Sequence, residues 1–358
     1  MGVVSDYCTR TLQAVGNGQV LSPLQRSLLP GLRALSLPYG LGVSLRNIAY
    51  DLGWLRRAKA PLPIISIGNI TAGGTSKTPF TAFLARELCQ TRRVAILSRG
   101  YRSTAERSPH PVVVSVGDGP LVSVEDCGDE PYWLATQLPG CIVIAGRCRE
   151  HSAVLAQKLG AECALLDDGM QHRQLERSFE IVLVNAQSPL GGGYLLPRGL
   201  LREPPRALKR ADLLVISKAY DPERVSYAEL LLRRWSSAPI IHCRLDAEAP
   251  EDITLAGLKA VGFCGLGDPD DFYTTLQRAG VILLERHSWP DHCVPSVHAL
   301  GQLAIEAKAR GADCLLCTEK DRVKLQHLPP LPLPLYAVPA LLWCSQTPTG
   351  WIQAHLGR

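Results

Sequence analysis

The stretch Ser66-Ile67-Gly68-Asn69-Ile70-Thr71-Ala72-Gly73-Gly74-Thr75-Ser76-Lys77-Thr78-Pro79 decides the fold. An apolar run that is typical of a buried strand leads into a glycine-rich turn with Lys-Thr, and Pro79 suits the first turn of a following helix. In such a unit, backbone N–H groups and the helix N-terminus bind phosphate, the lysine contacts phosphate oxygens and the threonine hydroxyl ligates Mg²⁺. We therefore predict a nucleotide site formed by Gly73, Gly74, Thr75, Ser76, Lys77 and Thr78.

The loop departs from the strict P-loop pattern GxxxxGK[ST] at two positions. Thr71 stands at its first glycine position and Ser76 at its last. Ser76 keeps its N–H donor but adds a Cβ where the chain approaches phosphate closely. Taken alone, the loop leaves open a purely structural strand–helix turn.

A second element supports the nucleotide interpretation. The apolar run that begins at Ala164 ends in two carboxylates, Asp167 and Asp168. In P-loop proteins such a strand end supplies the acid that holds Mg²⁺ opposite the loop hydroxyl. A turn without a metal is the alternative for the acids on their own. We predict that Thr78 and Asp167 or Asp168 hold Mg²⁺, directly or through water.

Short apolar runs alternate with helix-like segments along the chain, which indicates a parallel sheet covered on both faces. The predicted strands are Pro63–Asn69, Val94–Gly100, Val112–Val116, Cys141–Ala145, Cys163–Asp167, Ile181–Asn185 and Leu213–Ser217, then Ala260–Gly265, Val281–Glu285, Cys314–Thr318 and Leu335–Pro339. Arg233–Arg244 is expected to be a connector. The predicted class is α/β: a P-loop NTPase-type parallel sheet domain at 61–240, a second, smaller α/β domain at 241–358 that closes the active-site cleft, and an N-terminal basic helical segment at 1–60.

The net charge of +5 is concentrated at the N-terminus. Residues 1–60 hold seven basic and two acidic side chains, so the rest of the chain is neutral overall. The longest uncharged stretch there, 34–45, is too short and too rich in glycine and proline to span a bilayer. A basic, leucine-rich segment can lie on an anionic membrane surface. The alternative is a helical cap on the core.

The twelve cysteines follow no disulfide framework or zinc-site spacing. Together with the absence of a signal peptide at the start of the sequence, this favours a reducing, cytoplasmic location with cysteines as small buried apolar residues. Cys314 and Cys317 form a CxxC pair within a predicted strand, where period-2 alternation turns the two sulfurs to opposite faces.

Several separated motifs occur together in one order. They are Gly68–Pro79, Ser98–Tyr101, Gly128–Pro131, Asp167–Gly169 with Gln171-His172, Leu195–Pro205, Gly265–Pro269, Pro290–His292 and Thr318–Asp321. With these motifs the chain, from about Pro61 to Lys324, resembles the tetraacyldisaccharide 4′-kinases of lipid A biosynthesis. Its main departure is Ser76, where the family's loop has glycine.

The resemblance implies an ATP- and Mg²⁺-dependent kinase that phosphorylates the 4′-hydroxyl of an acylated glucosamine disaccharide 1-phosphate. It implies a peripheral enzyme at the cytoplasmic face of the bacterial inner membrane, with no nucleic acid and no obligate protein partner. It assigns Lys77 to the phosphates and Asp129, working with His292, to the acceptor hydroxyl, and it leaves open which of the two takes the proton. Arg198, Arg202 and Arg206, interleaved with leucines, suit the 1-phosphate and the acyl chains of the acceptor. A solvated loop is the alternative for this segment.

Two other functions are weighed against this one. A regulatory or metallochaperone GTPase needs a guanine-reading Asn-Lys-x-Asp, whose closest match, Thr318–Asp321, has the wrong spacing. A catalytically degenerate, membrane-peripheral ATP-binding protein would follow if Ser76 disabled the loop. ATP binding without turnover would distinguish it from the kinase.

Overall fold

The computed structural model describes residues 22–289, 295–325 and 328–356. By internal contacts these residues divide into two units. The first comprises the described residues up to Cys243 and from Cys344 onward, and the second is Arg244–Trp343. The described residues from Cys344 onward thus belong to the first unit, whereas the predicted second domain, 241–358, includes them.

The first unit is an α/β sandwich. Its helices are α1 (Pro23–Asp51), α2 (Lys77–Cys89), α3 (Thr104–Arg107), α4 (Val124–Cys127), α5 (Asp129–Gln137), α6 (Arg149–Lys158), α7 (Pro222–Leu232) and, after the second unit, the C-terminal helix (Thr349–Leu356). Its strands are β1 (Ile64–Asn69), β2 (Val94–Ser98), β3 (Val112–Ser115), β4 (Ile142–Ala145), β5 (Cys163–Asp167), β6 (Phe179–Asn185), β7 (Leu213–Ser217) and β8 (Ile240–Ala247). Two short 3₁₀ segments, Gly191–Gly193 and Pro205–Arg210, lie between β6 and β7.

These strands, with a later one at Ala340–Cys344, form a nine-stranded sheet. This later strand is β13, and the order of the strands in the sheet is β13-β8-β7-β6-β1-β5-β2-β4-β3. From β8 to β4 the neighbours pair in parallel, and β3 pairs antiparallel with β4. The central strands are buried along their whole length because helices cover both faces. The α/β fold with a parallel-dominated sheet is therefore confirmed.

The connector expected at Arg233–Arg244 is wrong in its second half. Ile240–Ala247 is a strand that pairs in parallel with β7. Burial along it alternates and then fades. This strand therefore lacks the continuous apolar run by which the central strands are recognised.

Helix α1 begins with a capping box, in which Ser22 and Gln25 each bond the other's backbone. It docks on the first unit through polar contacts. Ser36 donates to the carbonyl of Leu195 at 3.0 Å, Tyr39 to that of Arg202 at 3.0 Å, and Asn47 to the carboxylate of Glu203 at 2.7 Å. A row of leucines on the helix stays exposed. No helix in the described ranges is both long and apolar enough to cross a membrane.

The second unit has a smaller sheet of four parallel strands in the order β10-β9-β11-β12. Its elements are β9 (Lys259–Cys264), α8 (Pro269–Arg278), β10 (Ile282–Ser288), α9 (Val297–Ala309), β11 (Cys314–Thr318), α10 (Glu319–Val323) and β12 (Leu335–Val338). Both Cys314 and Cys317 are buried. Within this unit, Asp321 accepts the Gly265 N–H at 3.1 Å and the Thr318 hydroxyl at 2.6 Å.

One cysteine pair departs from the expectation of free thiols. Cys89, at the end of α2, forms a disulfide with Cys141, just before β4, and their Cα atoms are 6.8 Å apart. The bond links the C-terminal end of α2 to the entry of β4.

Candidate active site

The phosphate loop lies between β1 and α2 at the carboxyl edge of the sheet, where open α/β sheets bind their ligands. Asn69, the last residue of β1, donates to the Thr75 hydroxyl at 2.8 Å, and both side chains are buried. The Ala72 N–H donates to the carbonyl of Leu200 at 2.7 Å. The loop is thus held by one hydrogen bond across it and by one to the segment before β7.

Ser76 adopts the backbone conformation of a glycine. Its φ of 57° and ψ of 31° place it in the left-handed region, immediately before α2. Most residues with a Cβ reach this region only at a cost of about 1 kcal/mol or more. The loop therefore keeps a P-loop-like turn into the helix although the residue there is serine.

Lys77, the first residue of α2, meets the acid that follows β5. Its Nζ lies 3.4 Å from Oδ1 of Asp168. Arg202 binds the same carboxylate, with Nη1 at 3.0 and 2.9 Å from the two oxygens. Although burial works in the opposite direction, these two cations lower the pKa of Asp168 far below its usual range. Asp168 is therefore an ionised group between two cations.

The pKa of the neighbouring acid, Asp167, is shifted in the opposite direction. Asp167 is 4% exposed and accepts the Thr81 hydroxyl at 3.0 Å. Burial, and then the carboxylates of Glu130 and Asp168, raise the pKa of Asp167 to about 7, against the opposing effects of Lys77 and Thr81. The positive charges that act on this carboxyl, those of Lys77 and Arg149, therefore do not offset its burial and the two neighbouring carboxylates.

That deficit fits a divalent cation. Mg²⁺ prefers oxygen ligands and is usually held by one or two carboxylates together with substrate phosphates and waters. The adjacent acids Asp167 and Asp168 and the hydroxyl of Thr78, on the first turn of α2, offer such donors. Among the described residues no group of three or more His, Cys, Asp or Glu side chains could hold a metal by itself. A site of this kind would be completed by the nucleotide.

Asp129 begins α5, directly after Gly128. Gly128 has a φ of 90°, and a Cβ there would lie 3.2 Å from the backbone oxygen of Tyr101, so glycine is needed to set this helix start. The next residue, Glu130, is near enough to Asp167 for its carboxylate to raise the pKa of that acid. A role for Asp129 at the acceptor hydroxyl stays a prediction.

Of the other predicted positions, two arginines make side-chain contacts that the structure describes. Arg202 binds Asp168, and Arg198 lies over the ring of Tyr194 with its guanidinium carbon 4.3 Å from the centroid. Neither Arg198 nor Arg202 was expected to make these contacts. His292 lies outside the described residues, so its place relative to Asp129 stays a prediction.

Three polar residues were not anticipated from the sequence. Thr81 holds Asp167, Glu203 is fully buried between Asn47 and Arg210, and Arg177 binds the loop after Asp168. Only Thr81 had a usable signal, since it lies one helical turn after Lys77 on α2 and so on the same face.

Comparison with known proteins agrees with this architecture. A family model described as tetraacyldisaccharide-1-P 4′-kinase matches residues 28–355. A tetraacyldisaccharide 4′-kinase of Geobacter metallireducens is 39% identical over 320 residues, covering 84% of this chain and 90% of that protein. One of Syntrophotalea carbinolica is 38% identical over 338 residues, covering 91% of each.

A solved structure is similar along nearly the whole chain. It is the "apo" form of LpxK from Aquifex aeolicus in complex with ATP. It matches with a TM-score of 0.70 at 32% identity, covering 94% of this chain and 99% of that one.

Proposed function

Because the chain belongs to the family of tetraacyldisaccharide-1-phosphate 4′-kinases, we propose how its residues carry out that reaction. The chain is an ATP-using kinase of lipid A biosynthesis that phosphorylates a hydroxyl of an acylated disaccharide phosphate. The GTPase and the degenerate ATP-binding protein are not favoured. The proposal is supported above all by one observation, the meeting of Lys77 and Asp168 at the start of α2.

Phosphoryl transfer depends on positioning and charge neutralisation more than on covalent help from the protein. The N–H groups of residues 73–78 and the positive end of α2 would bind the β- and γ-phosphates, and Lys77 would neutralise their charge. Lys77 contacts Asp168 here and would exchange that carboxylate for phosphate when ATP binds. Arg202 keeps Asp168 charge-balanced during the exchange.

Thr78, Asp167 and Asp168 would hold Mg²⁺. When bound, the ion supplies charge neutralisation at the phosphates. The raised pKa of Asp167 supports this assignment, because a nearby cation would stabilise its ionised form.

Asp129 and His292 together would orient the 4′-hydroxyl, and one of the two would accept its proton. The position of Asp129 at the start of α5, next to Glu130, whose carboxylate acts on the pKa of Asp167, supports a place for it at the site. The acceptor substrate is expected to be an acylated glucosamine disaccharide 1-phosphate, which is phosphorylated at its 4′-hydroxyl.

The exposed face of α1 supports a peripheral location at an anionic membrane surface, at the cytoplasmic face of the inner membrane. Leu41 and Leu45 share one side of the helix and are 61% and 57% exposed. The polar docking contacts lie on other positions of the same helix. An enzyme with an amphiphilic acceptor gains from such a surface, because its substrate resides in the membrane.

The test is transfer of the labelled γ-phosphate of ATP to a detergent-dispersed tetraacyldisaccharide 1-phosphate, with and without Mg²⁺. We expect labelled lipid from the wild type only with Mg²⁺, and none from Lys77→Ala. Lys158→Ala, an exposed lysine at the end of α6, is the matched control and should keep full activity. Full activity without a divalent cation would overturn the metal assignment, and full activity of Lys77→Ala would overturn the phosphate site.

A further inference from the structure

The segment that begins at the last residue of β5, residues 167–172, is called the acidic loop. It carries Asp168 in a strained backbone conformation, with a φ of 52°. Such a conformation in a non-glycine residue persists only where its surroundings hold it. Part of the restraint comes from the neighbouring strand β1, because the Gly169 N–H donates to the carbonyl of Ile67 at 2.9 Å. A second backbone bond, from the His172 N–H to the carbonyl of Gly169 at 2.8 Å, lies within the acidic loop, and side chains supply further donors to the loop carbonyls.

Three backbone carbonyls of the acidic loop accept hydrogen bonds from one side chain, Arg177. Its Nη2 donates to the carbonyl of Gly169 at 2.8 Å and to that of His172 at 2.6 Å. Its Nη1 donates to the carbonyl of Met170 at 3.3 Å. The side chain is 12% exposed, so water competes little for these bonds. The fixed fork of a guanidinium can serve three carbonyls at once, which a lysine ammonium does less well.

Arg177 is itself fixed by the sheet. Its Nη1 also forms an ion pair with Glu180, which is buried in β6. Glu180 accepts the hydroxyl of Ser66, on β1, at 2.7 Å, and its own N–H donates to Asp212 at 2.8 Å. Ser66 lies in the strand that leads to the phosphate loop. One chain of contacts therefore runs from that strand through Glu180 and Arg177 to the acidic loop.

We propose that Arg177 is a positioning residue for the kinase reaction: it holds the acidic loop in register with the phosphate loop, so that Asp168 faces Lys77. The inference rests on the proposed role of Asp168. Arg177 touches neither nucleotide nor acceptor in this scheme. It acts through the backbone of Gly169, Met170 and His172.

Arg177→Lys is the decisive variant. Lysine keeps the charge opposite Glu180 but cannot bind all three carbonyls, so the fold should survive while the loop loosens. We expect kcat to fall at least tenfold with a change of less than threefold in KM for ATP, because the loss lies in geometry at the transition state. In hydrogen exchange, the amides of Gly169 and His172 should exchange at least tenfold faster, while those of α2 stay unchanged.

Arg173→Lys is the matched control. Arg173 is more deeply buried than Arg177 and only four residues away, but it donates to the carbonyl of Asn47 and to Asp51 on α1. This variant should speed exchange in α1 and keep kcat within threefold of the wild type. A second variant, Arg177→Ala, should regain at least fivefold in kcat on addition of guanidinium ion.

Wild-type kcat in Arg177→Lys, or unchanged exchange at Gly169 and His172, would overturn the proposal. An equal loss of kcat in Arg173→Lys would do the same, because it would reduce the effect to general destabilisation. Asp168→Asn in the same assay separates the two ideas. If that variant keeps full kcat, the role of Asp168 fails, whereas the exchange data still report whether Arg177 holds the loop.

Discussion

The Nζ of Lys77 lies 3.4 Å from Oδ1 of Asp168, so the lysine of the phosphate loop is paired with an acid from the adjacent strand. Arg202 donates to both oxygens of the same carboxylate. The ion pair keeps the positive charge of Lys77 at the phosphate site and balances it with the carboxylate of Asp168. It also means that Asp168 opposes the binding of phosphate unless a cation is present.

This arrangement predicts that Asp168→Asn strengthens the binding of metal-free ATP but lowers kcat. Metal-free ATP should bind roughly tenfold more tightly, a change of about 1.4 kcal/mol, because a negative charge near the phosphates is gone. The kcat should fall on the order of 100-fold or more, since a preorganised charge is lost. Calorimetric titration and the lipid-phosphorylation assay measure the two effects. Asp118→Asn, at an exposed site, is the control, and weaker binding of metal-free ATP would contradict the argument.

Ser76 gives a prediction about the loop backbone. Ser76→Gly removes the cost of the left-handed conformation but adds chain entropy to the unfolded state, so its free energy of unfolding should change by less than about 1 kcal/mol. Ser76→Val should lose about 1–2 kcal/mol, because a β-branched residue fits that region poorly. Chemical denaturation checks the order Gly, Ser, Val. ATP titration should show the weakest binding for valine, and equal values for all three would exclude a constraint at φ 57°.

The buried carboxylate of Glu203 ties α1 to the first unit. Burial would raise its pKa, but Arg210, Asn47 and Gln171 lower it overall. A lowered folded-state pKa contributes stability that is fully present above the unfolded value of about 4.3 and is lost as pH falls through the folded value. Asn47→Ala should therefore cost about 1–3 kcal/mol at pH 7, since it leaves Glu203 with one donor fewer.

Denaturant unfolding at pH 7 and at pH 3 measures that contribution. The difference between Asn47→Ala and the wild type should shrink at the lower pH, where Glu203 becomes protonated during unfolding. Ser44→Ala, a neighbouring position on α1, is the control. A constant difference at both pH values would mean that Asn47 acts by packing alone.

The disulfide between Cys89 and Cys141 closes a separation of 52 residues. Cross-linking a loop of this length stabilises by up to about 4 kcal/mol in the chain-entropy model. Reduction with a phosphine should therefore lower the melting temperature of the wild type and leave that of Cys141→Ala unchanged. Free-thiol counting before and after reduction checks that the bond is present. An equal shift in both proteins would assign the effect to other cysteines.

The sequence was most informative where burial is continuous. The predicted strands Cys163–Asp167 and Leu213–Ser217 agree with the structure residue for residue because every position in them is buried. The strand Ile240–Ala247 escaped prediction because its partly exposed residues dilute the apolar pattern. Lys77, Asp167 and Asp168 were proposed from local motifs. Arg177 and Glu203 could not be, because their partners are backbone carbonyls and side chains brought near only by folding.

The exposed leucines of α1 give the last prediction, and they allow a cleaner test than removing the segment. Deleting residues 1–57 would also remove Asn47 and Tyr39, which hold buried partners, so a loss of membrane binding would be confounded with loss of stability. Leu41 and Leu45 lie on the exposed side and are 61% and 57% exposed. Changing them to glutamine leaves the docking contacts intact.

We expect Leu41→Gln/Leu45→Gln to bind anionic phospholipid vesicles at least tenfold more weakly, because each buried leucine contributes about 1.5–3 kcal/mol. The melting temperature should stay within about 2 °C of the wild type, since the lost side chains are exposed. Leu121→Gln/Leu230→Gln removes two leucines of similar exposure outside α1 and should bind vesicles normally. Binding should also weaken with salt, as the basic residues of the segment are screened. Equal vesicle binding by both double variants would make α1 a packing element, because its apolar face would then contribute nothing at the membrane.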